Sequence, residues 1–237
     1  ARERELCQKI KQHSIRMLGP NCLGLINTQS ALNASFAADM PEPGNIAFFS
    51  QSGALCTSIL DWAVNECIGF SKFISMGNKT DIDEVDLIKA IENDANTKVV
   101  LVYLEGVKNG AEFINAAKKI TKIKPMIVVK SGGTTAGAKA ASSHTGTLAG
   151  AENAFDAAFK QSGILRAETI QELFDYARIF SFQQLPKGPH IALITNAGGP
   201  GIIAADAVER SKLKMASFSK DTIDIIRSSL PAMANVY

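Results

Sequence analysis

From about residue 45 onward, short β-branched apolar runs alternate with amphipathic helical patterns, and this alternation limits the possible folds more than any other feature of the chain. Strands are predicted at 46–49, 70–75, 98–104 and 125–130, with helices at 54–64, 85–92 and 111–120 between them. Strands separated by helices of this length cannot be joined as hairpins. They require crossover connections, hence a parallel sheet covered on both faces. The order predicts an α/β fold, a flavodoxin-like doubly wound parallel sheet, with its site at the carboxyl ends of the strands.

The pattern then changes. Residues 133–150 are almost wholly Gly, Ala, Ser and Thr around one His, and read as a long small-residue loop of the kind that is usually functional. A helix at 151–161, a strand at 164–166 and a helix at 170–182 follow, and the Leu-Pro-Lys-Gly-Pro of 185–189 reads as a linker. After it a strand at 191–195, a turn at 196–201 and helices at 202–210 and 221–230 read as the first half of a second flavodoxin-like domain, 186–237. Residues 1–27 read as the closing stretch of a preceding domain, leaving 28–185 as the central one.

Composition closes off several function classes. The net charge is only +2 with the basic residues dispersed, unlike the one-sided basic stripe of a nucleic-acid binder. The longest apolar runs, such as 99–104, are too short to cross a bilayer. Cys7, Cys22, Cys56 and Cys67 form no CxxC pair, which argues against a zinc site or disulfide framework and fits a reducing cytoplasm.

Three histidines are present. His13 lies in a charged helical pattern and His190 opens a strand after a linker, and both read as surface or packing residues. His144, flanked by Ser142, Ser143, Thr145 and Gly146, has no bulky neighbour in sequence. Neutral imidazole is a competent nucleophile near pH 7, which suits a phosphoryl carrier, while a loop histidine capping the next helix is the plainer alternative. Ser50, Gln51, Ser52 and Gly53 stand between a strand and a helix, where free amides and the helix dipole make an anion site. Ordinary N-capping by Ser52 explains a serine there equally well. Glu105 ends the 98–104 strand and could fix the tautomer of a histidine, or could be a solvated strand-end carboxylate. Asn-Ala-Gly-Gly-Pro-Gly at 196–201 is either a phosphate-type turn or simply a tight one, and the turn at 19–24 is open to the same two readings. Lys79, Asp81 and Asp83 read as a solvated loop.

Taken in order, GPNCLG, FFSQSGALC, MGNKTDIDE, YLEG, VKSGGT and SSHTGTLAG resemble the ADP-forming acetyl-CoA (acyl-CoA) synthetase family, related to the succinyl-CoA synthetase α chain. The resemblance covers nearly the whole sequence. It implies the reaction acyl-CoA + ADP + phosphate = acid + ATP + CoA, through an acyl phosphate and a phosphohistidine. It implies His144 as the phosphoryl acceptor, Glu105 as its orienting carboxylate and Ser50, Gln51, Ser52 and Gly53 as the phosphate-binding segment. Asn21 in GPNCLG, with Gly77 and Asn78 in MGNKTDIDE, stands as the substrate-binding set. A CoA-binding Rossmann domain would precede this piece. ADP or ATP with Mg²⁺ would be held by an ATP-grasp domain or subunit outside it, in an oligomeric full protein. Two rivals stand beside this expectation: the regulatory synthetase-like region of a bacterial protein lysine acetyltransferase, and a flavodoxin-like binding module without chemistry.

Overall fold

The computed structural model describes residues 2–133, 137 and 152–236. The chain divides into two compact units, Ala1–Gln183 and Gln184–Tyr237.

In the first unit, helix α1 (Arg2–Gln12) is followed by a ribbon of β1 (Gly24–Asn27) and β2 (Leu32–Ser35). The alternating part then runs β3 (Pro43–Ser50), α2 (Gly53–Asn65), β4 (Phe70–Ser75), α3 (Glu84–Glu92), β5 (Val99–Leu104), α4 (Gly110–Ile120) and β6 (Met126–Lys130). It closes with α5 (Glu152–Ser162), β7 (Leu165–Ala167) and α6 (Ile170–Phe182). Side-chain oxygens cap four of these helices: Ser52 on α2, Asp83 on α3 in a capping box, Asn109 on α4 and Thr169 on α6.

One seven-stranded sheet results, in the order β2-β1-β4-β3-β5-β6-β7. Its parallel part, β4-β3-β5-β6-β7, counted from β3 as first, is the flavodoxin-like order 2-1-3-4-5. The sheet is not wholly parallel, as the alternation alone suggested. β1 pairs antiparallel with both β2 and β4, because it reaches the sheet edge through a tight ribbon rather than a crossover helix. The expected boundary after Asn27 therefore cuts a ribbon whose two strands share the sheet of the central domain.

Strand alternation sends successive side chains to opposite faces, and the two faces carry separate cores. Phe48, Phe70, Phe73 and Leu101 pack under α2 and α6 with Ile59, Leu60, Leu173 and Phe174. Ala47, Phe49, Val100 and Val102 pack under α3, α4 and α5 with Ile88, Phe113, Ile120 and Phe159. The Phe48 and Phe70 rings each lie 5.0 Å from that of Phe73, centroid to centroid, within the range where aromatic pairs attract beyond their buried area. Register aligns Ser50 with Ser75 and Tyr103, and Leu104 with Lys130, so the carboxyl ends of the four central strands finish level.

The second unit is a βαβα element: β8 (His190–Ile191) parallel to β9 (Lys214–Met215), with helices α7 (Gly198–Glu209) and α8 (Lys220–Ser229). Its strands are two residues each, and α7 starts inside the expected 196–201 turn.

Candidate active site

In a doubly wound sheet the chain leaves β3 toward one side and returns to β5 on the other, which opens a crevice between their carboxyl ends. An open cleft of about 1030 Å³ lies there, lined by Asn21, Gln51, Ser52, Gly53, Gly77, Asn78 and Glu105 among others. Seven of the nine expected site residues thus meet in one place. Ser50 does not line it, and His144 lies outside the described residues.

The turn after β3 is built from its own side chains. Ser50, fully buried, accepts from Ser52 N–H at 3.0 Å and donates to Ser52 C=O at 2.9 Å through one hydroxyl. Ser52 Oγ accepts from Leu55 N–H at 3.2 Å, an ordinary N-cap. Gln51 N–H donates to Tyr103 C=O at 3.2 Å. These bonds use up the amides of Gln51, Ser52 and Leu55. Those of Gly53 and Ala54, at the first turn of α2, have no protein acceptor among the described residues and carry the positive end of the helix dipole. The amides left free at this turn are therefore those of Gly53 and Ala54, at the end of and just past the 50–53 segment that the sequence singles out.

The loop at 77–83 is zipped to the turn at 17–20. Asn78 N–H donates to Pro20 C=O at 2.9 Å, Thr80 N–H to Gly19 C=O at 2.9 Å and Ile82 N–H to Met17 C=O at 3.1 Å. Gly77 has φ +56°, and a Cβ there would sit 2.2 Å from Pro20 O, so the position requires glycine for close backbone approach. The zip sets the Asn21 and Asn78 side-chain amides next to each other, 3.4 Å apart, on the cleft wall.

Lys79, Asp81 and Asp83 are structural ties rather than a solvated loop. Asp83 caps α3, and Asp81 takes Met17 N–H at 2.7 Å and Arg16 Nε at 2.9 Å. The Met17 amide outweighs a small burial effect and, with Arg16, holds the Asp81 carboxyl below its usual range. Lys79 is only 7% exposed and is paired with Glu84 at 2.8 Å.

Glu105 follows β5 and lines the cleft as well. Its carboxylate makes no hydrogen bond or ion pair among the described residues, while its backbone N–H is held by Gln51 Oε1. β6 ends alongside: Ser131 N–H donates to Leu104 C=O at 2.9 Å. The chain beyond it carries His144, and Gly133 and Glu152, the described residues flanking that stretch apart from Gly137, abut one another. Two thiols lie near the turn. Burial pushes Cys56 up to about 11, against hydrogen bonds from Ser50 and Ser75, and burial also raises Cys22 on the cleft wall. Neither is poised as a thiolate nucleophile.

Sequence reasoning missed Cys22 and Phe36, an 88% exposed aromatic, as cleft-lining residues. Phe36 has no sequence signal, because it is brought there by the β1–β2 ribbon.

Fold and cleft define a doubly wound flavodoxin-like domain whose switch-point crevice is lined by free helix amides and by a carboxylate without a hydrogen bond among the described residues. The family described as "Succinyl-CoA ligase like flavodoxin domain" matches residues 43–180, more than half of the 237, and the chain belongs to it. Among curated relatives, the α subunit of acetate–CoA ligase [ADP-forming] II of Pyrococcus furiosus is 47% identical over 99% of this chain and 51% of its own length. Acetate–CoA ligase [ADP-forming] I of Archaeoglobus fulgidus is 45% identical over 99% of this chain and 34% of its own. The chain thus spans between a third and a half of these relatives. A solved dinucleotide-forming acetyl-coenzyme A synthetase 1 of Candidatus Korarchaeum cryptofilum, in complex with phosphate and ADP, superposes with a TM-score of 0.91 at 38% identity, over 98% of this chain and 51% of that one.

Proposed function

We propose that this chain is the phosphohistidine-bearing part of a nucleoside-diphosphate-forming acyl-CoA synthetase, catalysing acyl-CoA + ADP + phosphate = acid + ATP + CoA. One observation carries the reading: the switch-point cleft offers two free helix amides for an anion and a carboxylate for orientation, but no activated nucleophile among its described residues. A site complete except for its nucleophile, beside the strand from which the His144 stretch departs, is what a carrier histidine would serve.

In this scheme phosphate rests on the Gly53 and Ala54 amides and attacks the thioester carbonyl. The C–S bond breaks, CoA leaves as the thiol and an acyl phosphate forms. The neutral nitrogen of His144 then attacks phosphorus, an N–P bond forms as the acyl O–P bond breaks, and the free carboxylate leaves. Glu105 accepts the proton of the other ring nitrogen and holds the tautomer. ADP finally takes the phosphoryl group. Asn21 and Asn78 line the substrate side of the cleft, and Gly77 keeps their loops in contact. Ser50 and Ser52 act by shaping the turn.

The rest of the protein supplies what these residues do not. A CoA-binding Rossmann domain precedes this piece; residues 28–185, together with the β1 strand that joins their sheet, form the ligase domain, and 186–237 begin a second flavodoxin-like domain. An ATP-grasp domain or subunit holds ADP or ATP and Mg²⁺. The assembled enzyme is an oligomer and works in the cytoplasm, and the fragment alone is inactive.

The test is phosphoryl labelling of the complete protein from γ-labelled ATP. The label should be stable to base and labile to acid, as a phosphoramidate is, and His144→Ala should abolish it. Label that persists in the alanine variant, or that behaves as an acid-stable serine phosphate, overturns the mechanism.

A further inference from the structure

Gln51 stands within the phosphate turn, and its neighbours in sequence make it a natural phosphate ligand. Its side chain is engaged elsewhere. Gln51 Oε1 accepts from the N–H groups of both Glu105 and Gly106, the latter at 3.0 Å, and Gln51 Nε2 donates to Gly106 C=O at 3.0 Å. An amide has two acceptor lone pairs and two donors, so both lone pairs and one donor go to the same stretch of backbone.

A second residue reinforces the grip. Lys79 Nζ donates to the same Gly106 carbonyl at 2.6 Å, while paired with the buried Glu84 at 2.8 Å. Lys108 in turn donates to Lys79 C=O, closing a ring of contacts between the loops after β4 and β5. The backbone at Glu105 and Gly106 is thus fixed by two side chains from two other strand-end loops. The Glu105 carboxylate itself carries no bond among the described residues. That is the arrangement expected where a working group must be aimed but left free to act.

We infer that Gln51, supported by Lys79, is a positioning residue that aims the Glu105 carboxylate within the cleft, and is not a phosphate ligand. This rests on the orienting role proposed above for Glu105.

A double-mutant cycle on phosphohistidine formation in the complete synthetase tests it, read as the initial labelling rate together with KM for phosphate. Glu105→Gln should slow labelling about 100-fold and Gln51→Ala about 10-fold, the range for groups that orient a working side chain. The double variant should be no slower than Glu105→Gln alone, because placement ceases to matter once the carboxylate is gone. KM for phosphate should not move in Gln51→Ala. Multiplicative losses, or a raised KM for phosphate, would overturn the inference while leaving the role of Glu105 standing. An unchanged rate in Glu105→Gln would remove that role and the inference with it. Should Gln51→Ala fail to fold, Gln51→Glu keeps both acceptor bonds but turns a charged oxygen toward Gly106 C=O in place of the donor, and the same cycle with the same expected non-additivity applies to it.

Discussion

The chain contains two strand-to-helix turns that are nearly the same local object. In the first, Ser50 Oγ brackets residue 52, accepting from its N–H at 3.0 Å and donating to its C=O at 2.9 Å. In the second, Thr195 Oγ1 brackets Ala197 in the same way, at 3.0 Å for both bonds. Each turn then opens a helix with two amides free of acceptors among the described residues, at Gly53 and Ala54 in one and Gly198 and Gly199 in the other. The third amide is consumed by the Ser52 cap in the first turn and is missing from Pro200 in the second. What differs is the setting. Around the first turn the loops carrying Asn21, Gly77–Lys79 and Glu105–Lys108 close a cleft, whereas the second turn is exposed at Asn196–Gly199. A helix N-terminus offers an anion a place, and only the converging loops of a switch point turn that place into a site.

The sharpest way to break this contrast is through glycine. Gly77→Ala should place a Cβ against Pro20 O in a left-handed backbone, which costs more than about 2 kcal/mol and pulls the cleft walls apart. Gly201→Ala, beside the second turn, meets only the Thr195 methyl at 3.0 Å and should change stability by less than about 1 kcal/mol. Urea unfolding of the two variants checks both numbers. Equal losses would mean that the first turn has no privileged scaffold.

A smaller effect comes from the opposite edge of the same sheet, where Asp94 sits beneath the strands. Burial raises its carboxyl, but hydrogen bonds from Lys72 at 2.9 Å, from Thr97 at 2.8 Å and from Asn96 N–H outweigh it and hold it at about 2. A depressed carboxylate stabilises the fold fully above its unfolded pKa near 4, and that stability is lost as pH falls through 2. The contribution is about 2 kcal/mol, because each tenfold change in proton affinity is worth about 1.36 kcal/mol. Asp94→Asn should flatten the acid limb of a stability-against-pH curve between these values. Phosphate binding at pH 7 should be unaltered, since this network does not touch the cleft. A variant that keeps the full acid limb would assign it to other carboxylates.

How much of this was legible in the sequence follows from the range of each interaction. The parallel order was, because each βαβ unit writes its own period change, as 46–49 into 54–64 does. Ser52 as a cap and Glu105 at a strand end were visible for the same local reason. The ribbon was not: β1 and β2 are four residues each, and β2 is exposed over Leu32–Ala34, so neither shows alternation. Lys79 read as solvated because its partner carbonyl, Gly106, lies 27 residues away, and Gln51 read as a phosphate ligand because Glu105 lies 54 away. Gly77 looked like a substrate contact, yet its necessity comes from the turn at Pro20, which no local pattern announces.

The claim that phosphoryl chemistry is seated at the first turn and not at its twin can be measured directly. Phosphate titrated into the labelled chain, followed by amide ¹H–¹⁵N shifts, should move Gly53 and Ala54 as a saturable pair. The helix dipole contributes on the order of 0.3–1 kcal/mol at each turn, so the difference between them must come from the cleft. Gly198 and Gly199 should move little and without saturation. Shifts confined to Gly198 and Gly199, or equal at both turns, would contradict the account.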